Sequence, residues 1–186
     1  GRWNVTRRDQ ITALGTVFTA MDADAVIVIE APDTSRRRQT QTALEGFANH
    51  FGLRANKVLT GFLNDTQQQI ALMYDSRKMS ADHTPQTAKT APKFDGSFAV
   101  DLDQDGQPEP IRWSKPPLEV TLTPHGQPPL SLIGVHAKSK APYGAGSPAQ
   151  ILRINIENRR KQLAQCVWLR ARVDQLLQKG QPVIVM

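Results

Sequence analysis

Apolar residues recur at Ile11, Leu14, Phe18 and Met21, three or four positions apart, and the spacing predicts a helix. Thr6 stands where an N-cap belongs, and the pattern ends at Asp22-Ala23-Asp24. Ala25 to Ile29 is then a continuous apolar run rich in β-branched residues, which predicts a strand buried on both faces, with Glu30 at its C-terminal end. Ala43, Leu44, Phe47, Ala48 and Phe51 predict a second helix stopping at Gly52. Ile70 to Tyr74 reads as a strand, followed by a turn over Asp75 to Lys78. From Ser80 to Gly96 the chain is polar and carries prolines, so a loop or irregular edge segment is expected. Phe98 to Leu102 and Ile111 to Trp113 flank Asp103-Gln104-Asp105-Gly106, which has the chemistry of a hairpin turn.

Leu118 to Leu122 and Leu130 to His136 predict two further strands, followed by a Gly/Pro/Ser-rich loop through Pro148. The stretch from about Ile151 to Lys179 reads as a long helix with Leu163, Val167, Val173, Leu176 and Leu177 on one face, ended by Gly180. Pro182 to Met186 reads as a last buried strand. Strands interleaved with helices, plus one hairpin, predict α/β or α+β layers. At 186 residues, 39% of them hydrophobic, one domain spanning 1–186 is expected.

The charge balance changes the picture of the surface. There are 23 Lys and Arg against 17 Asp and Glu, a formal net charge of +6, so polyanions such as nucleic acid or phosphorylated lipid are favoured partners. A lone Cys166 cannot form an internal disulfide; beside Val167 and Trp168 it reads as a small buried hydrophobe. No apolar run approaches the roughly 20 residues that span a bilayer, so a soluble protein is expected. The compartment stays open, a secreted or periplasmic location included, since a leader could have been removed.

Ligands bind outside strand ends in layered sheet folds, and Asn4, Glu30 and His136 each lie in or at the end of a strand-like run. A carboxylate there suits a hard cation, and a carboxamide and an imidazole beside it suit phosphate oxygens. Each also has a structural reading. Glu30 reads as a solvated carboxylate capping the next turn, His136 as a hydrogen-bonded structural histidine, and Asn4 as a turn or N-cap residue. Spacing alone does not choose between them.

The segments Trp3-Asn4-Val5, Val26 to Glu30, Ile70 to Tyr74, Trp113 to Leu118 and Gly134 to Ser139 follow one another as the motifs of a known superfamily do. In that order the chain resembles the endonuclease/exonuclease/phosphatase superfamily, in particular its pancreatic deoxyribonuclease-like branch. The resemblance implies a four-layer sandwich of two sheets flanked by helices, and a phosphoester hydrolase that uses Mg²⁺, with Mn²⁺ or Ca²⁺ as alternatives. It implies that Glu30 binds the metal and that Asn4 lies beside metal and scissile phosphate. His136 would contact phosphate or help protonate the leaving group, and Lys115 would touch phosphate where relatives often carry Arg. A lysine offers a point charge in place of a bidentate fork.

Two departures stand against the pattern. Ile29 occupies the place of the usual Gln, and Pro32 that of a basic residue found in some nucleases. Val183 to Met186 resembles the strand that leads into Gly-Asp-x-Asn, but neither that motif nor the later Asp-His pair that serves as general base is among these residues. The expectation is a fold incomplete at its C-terminus, a poorly active fragment whose remaining partner is the following segment of the same protein.

Three function classes follow: an endonuclease-like phosphodiesterase, a phosphatase or phosphodiesterase for lipid or small-molecule phosphates, and a non-catalytic polyanion-binding module. Asp101 to Gly106 also mimics the first half of an EF-hand loop, but Arg112 at its twelfth position would repel calcium, which favours a plain acidic turn. Arg36-Arg37-Arg38 reads as the border of an active cleft or a surface loop, and Arg159-Arg160-Lys161 as a solvated helix face.

Overall fold

The computed structural model describes residues 5–32, 34, 38–63, 68–85, 99–102, 104–110 and 112–186. Helix α1 (Arg7–Met21) starts at Thr6, whose hydroxyl accepts from the Asp9 N–H while the Asp9 carboxylate accepts from the Thr6 N–H. That reciprocal box satisfies two of the donors a helix start leaves over. Strand β1 (Ala25–Pro32) follows, then α2 (Thr40–Phe51), closed by Gly52 in the left-handed region at φ 64°. Strands β2 (Lys57–Thr60), β3 (Gln68–Tyr74) and β4 (Met79–His83) come next. A two-stranded ribbon, β5 (Ala99–Val100) with β6 (Glu109–Pro110), precedes β7 (Leu118–Pro124) and β8 (Leu130–Gly134). Helix α3 (Pro148–Gln178) and β9 (Val183–Val185) complete the order.

Among the described residues the result is a mixed α/β structure with three helices and two main sheets. One sheet has the order β1-β3-β2, all antiparallel, and the other β4-β7-β8-β9, antiparallel except for the parallel pair β8-β9. Alternation along the strands sorts the core into layers. Val26, Val28, Val58, Ala71 and Met73 meet Phe18 of α1 and Leu44, Phe47 and Ala48 of α2. Ile27, Leu59, Ile70 and Leu72 turn the other way, onto Leu118, Val120, Leu122 and Leu132 of the second sheet. On that sheet's outer face, Arg172 of α3 forms a buried ion pair with Glu119 of β7.

Several expectations change. Ser80 to His83 belongs to β4 and not to a loop, and β2 went unforeseen; both are edge strands, which need few apolar positions. Residues 86–96 of the expected loop lie outside the described residues. The second ribbon strand sits at Glu109–Pro110, ahead of the 111–113 expected.

Strand β1 is packed on both faces but is the outer strand of its sheet among the described residues, so Ala25 to Ile29 are only half-buried. Val183 to Met186 is likewise not a buried strand: among the described residues β9 pairs only with β8, and Ile184, Val185 and Met186 are exposed. On α1, only Phe18 of the expected apolar positions is half-buried, while Ile11, Leu14 and Met21 are exposed, the first two beside a cleft of about 880 Å³.

The face of α3 also differs. Leu163 and Leu177 are exposed, and the buried stripe is Asn158, Ala164, Gln165, Trp168, Arg172 and Leu176. Polar side chains with partners in the neighbouring loops and sheet occupy positions that an apolar count assigns to leucine. Cys166, next to that stripe but turned away from it, is exposed and not buried.

Strand β8 can approach the first sheet because its last residue is Gly134. A Cβ there would lie 3.0 Å from Ile27 Cδ1 and 3.1 Å from Ile70 Cγ2. On the opposite flank β2 touches β4, so β1 and β9 are outer strands of the same flank. Gly134→Val should cost about 1–3 kcal/mol by overpacking, read as a lower urea midpoint. Gly46→Ala, in α2 with no atom within 4 Å of its added methyl, should instead raise stability by roughly 0.5–1 kcal/mol.

Candidate functional site

Glu30 owes its position to a break in the β1-β3 ladder. Val28 pairs with Ala71, but the next pair is Ala31 with Gln69, so β1 carries one residue more than its partner over Ile29 and Glu30. Such a bulge re-aims side chains by shifting the alternation. Ala31 accordingly joins Val26 and Val28 in the helix-side core, although regular alternation would have turned it the other way. Glu30 is left half-exposed at the strand's end.

Two other segments bring cations or potential cations to it. Lys115 precedes the buried pair Pro116-Pro117 at the start of β7, and its side chain is 12% exposed. Prolines fix the local backbone, so the lysine enters from a stiff mount. His136 lies two residues beyond the end of β8 and is half-buried. Lys115 Nζ is 3.5 Å and His136 Nε2 3.9 Å from the same oxygen, Oε1 of Glu30. Both distances exceed the usual hydrogen-bond range, so the three groups are gathered without being locked.

Burial pushes the His136 imidazole below its ordinary range, Lys115 pushes it the same way, and Glu30 opposes both. The ring is therefore neutral at neutral pH, with one nitrogen to donate and one to accept. Among the described residues no three His, Cys, Asp or Glu side chains gather as a metal cluster. A single carboxylate still fits Mg²⁺, which keeps several waters and takes one or two carboxylates plus phosphate oxygens. It does not fit Zn²⁺ in a structural site, which asks for four protein ligands.

The structure thus brings together Glu30, Lys115 and His136. Asn4 lies outside the described residues, as do Arg36 and Arg37; Arg38 is exposed, and so are Arg159, Arg160 and Lys161 on α3. Of the acidic turn, Asp103 is likewise outside. Asp101 spends its carboxylate on the N–H groups of Asp105 and Gly106, and Asp105 accepts from Gln107 N–H.

Two buried amides on α3 escaped the sequence reading. Gln165 hydrogen-bonds the segments that carry both Lys115 and His136, and Asn158 donates to the carbonyl of Ala141, farther along the His136 segment. The signal was present as a seven-residue spacing, Asn158, Gln165 and Arg172, which places all three on one helix face.

In a ring-resolved NMR titration, His136 should protonate below the ordinary imidazole range, and Lys115→Met should move it upward by removing one of the two lowering causes. Because the unfolded chain takes up this proton more readily than the folded one, no stability is lost on this account above about pH 6.5. Below that value the fold should weaken until the folded-state pKa is passed. Comparison of the chain with family models, with curated proteins and with solved structures finds no match to any of them.

Proposed function

We propose that this chain forms the metal- and phosphate-binding part of a Mg²⁺-dependent phosphodiester hydrolase with DNA as substrate, built on the deoxyribonuclease-like sandwich. The observation that carries the reading is the convergence of Glu30, Lys115 and His136, three positions far apart in sequence that the motif order marked separately. The sequence of layers, two helices, sheet, sheet and helix, agrees with the same reading.

Glu30 supplies a hard oxygen ligand that is open to solvent. A Mg²⁺ held there would polarise a phosphoryl oxygen and offset the charge that develops on it. Lys115, beside the same carboxylate, would supply a positive charge to a phosphate bound there. Neutral His136 orients the phosphate through a hydrogen bond donated by its ring N–H. The net charge of +6 favours a polyanionic substrate.

One observation favours a non-catalytic polyanion-binding module instead: the Glu30 carboxylate already has a lysine 3.5 Å away. Calorimetric titration separates the two. The hydrolase reading expects Mg²⁺ binding by the chain that Glu30→Gln abolishes, and in the full-length protein a loss of plasmid nicking of about 100-fold or more. Phospholipid and sugar phosphates assayed in parallel distinguish DNA from smaller substrates. Absence of both Mg²⁺ binding and hydrolysis, with DNA binding intact, would leave only the module.

A further inference from the structure

We infer that Gln165 is a positioning residue that clamps the Lys115-bearing segment to the His136-bearing segment and so sets the geometry of the site. Its side chain is buried, at 3% exposure. Oε1 accepts from the Lys138 N–H at 2.7 Å, and Nε2 donates to the Arg112 carbonyl at 2.9 Å. A backbone N–H can only donate and a carbonyl only accept, so the two partners fix the orientation of the amide.

Lys138 is two residues beyond His136, and Arg112 three before Lys115. Neither segment has a strand or helix of its own: beyond Val135, whose N–H donates to the Met186 carbonyl at 2.8 Å in continuation of the β8–β9 pairing, residues 112–117 and 136–147 lie outside the ladders of the described residues. Their backbone groups therefore need partners from elsewhere, and one carboxamide serves both segments. Asn158, one heptad earlier on α3, fastens the His136 segment a second time through the Ala141 carbonyl, and the edge-on contact of Trp113 with Trp168 fastens the Lys115 segment. A long helix with a polar stripe thus holds two irregular segments whose Lys115 and His136 side chains approach Glu30 from beyond the ends of different strands. A leucine at 165 would fill the space and hold neither. The inference rests on the hydrolase reading only for the use made of the geometry.

The test replaces Gln165 by Met, which keeps length and removes both hydrogen bonds, and by Glu, which keeps an acceptor for Lys138 but loses the amide donor to Arg112. Amide exchange is followed by NMR, together with a titration by inorganic phosphate. In Gln165→Met the Lys138 amide should exchange at least tenfold faster while the amides of β3 and β7 are unchanged. Gln165→Glu should restore protection at Lys138, and phosphate affinity read at Lys115 and His136 should fall about tenfold in the Met variant. Unaltered exchange at Lys138 in the Met variant would overturn the inference, and so would an even loss of protection through β3 and β7, which would make Gln165 an ordinary core residue. Should wild-type protein show no response to phosphate while the exchange pattern holds, the clamp stands and the hydrolase reading falls.

Discussion

Leu72 and Leu118, almost wholly shielded from solvent, belong to the aliphatic layer where the three-stranded and four-stranded sheets face each other, and each candidate site residue depends on that contact. Glu30 hangs from β1 of one sheet, while Lys115 and His136 lie next to β7 and β8 of the other. Burying each such side chain is worth about 1.5–3 kcal/mol, so the layer has ample energy to hold two sheets in register. A hydrogen bond contributes less, roughly 0.5–1.5 kcal/mol, and acts over a shorter range. Hydrophobic packing therefore sets the coarse separation of the three groups, and the polar contacts of α3 trim it.

The elements that could be read from sequence are those whose burial pattern repeats. Strands β3 and β7 have neighbours on both sides, and their apolar runs announce them. Helix α2 buries Leu44 and Ala48 at helical spacing and stops at a glycine that takes up a left-handed conformation. Strands β2 and β4 carry only a few inward side chains each, and Ser80 and Asp82 make β4 resemble a loop. Glu30 and His136 were marked by their places at the ends of apolar runs, and Lys115 only by the order of motifs; that the three meet was not legible, because no periodicity relates residues that meet through tertiary packing.

What stayed hidden has two physical origins. The bulge at Ile29 and Glu30 is a property of a pair of strands, and a single strand's sequence does not disclose it. On α3 the search for an apolar face passed over Asn158, Gln165 and Arg172, since buried polar groups are as well accommodated as leucines once each has a partner. The Arg172-Glu119 pair shows the cost of that arrangement: it is tolerated in the interior because the two charges answer each other, and either one alone would be stranded.

Parallel pairing of β8 with β9 has a kinetic implication. Ser131, Leu132 and Ile133 pair with Val183, Ile184 and Val185, and the whole of α3 lies in the connection between them. A crossover of this kind must close a long loop before its contacts repay the lost chain entropy, so local hairpins such as β7-β8 assemble sooner. The helix that tethers the Lys115 and His136 segments is consequently secured only when that late closure happens, and those segments become rigid after the local hairpins, not with them.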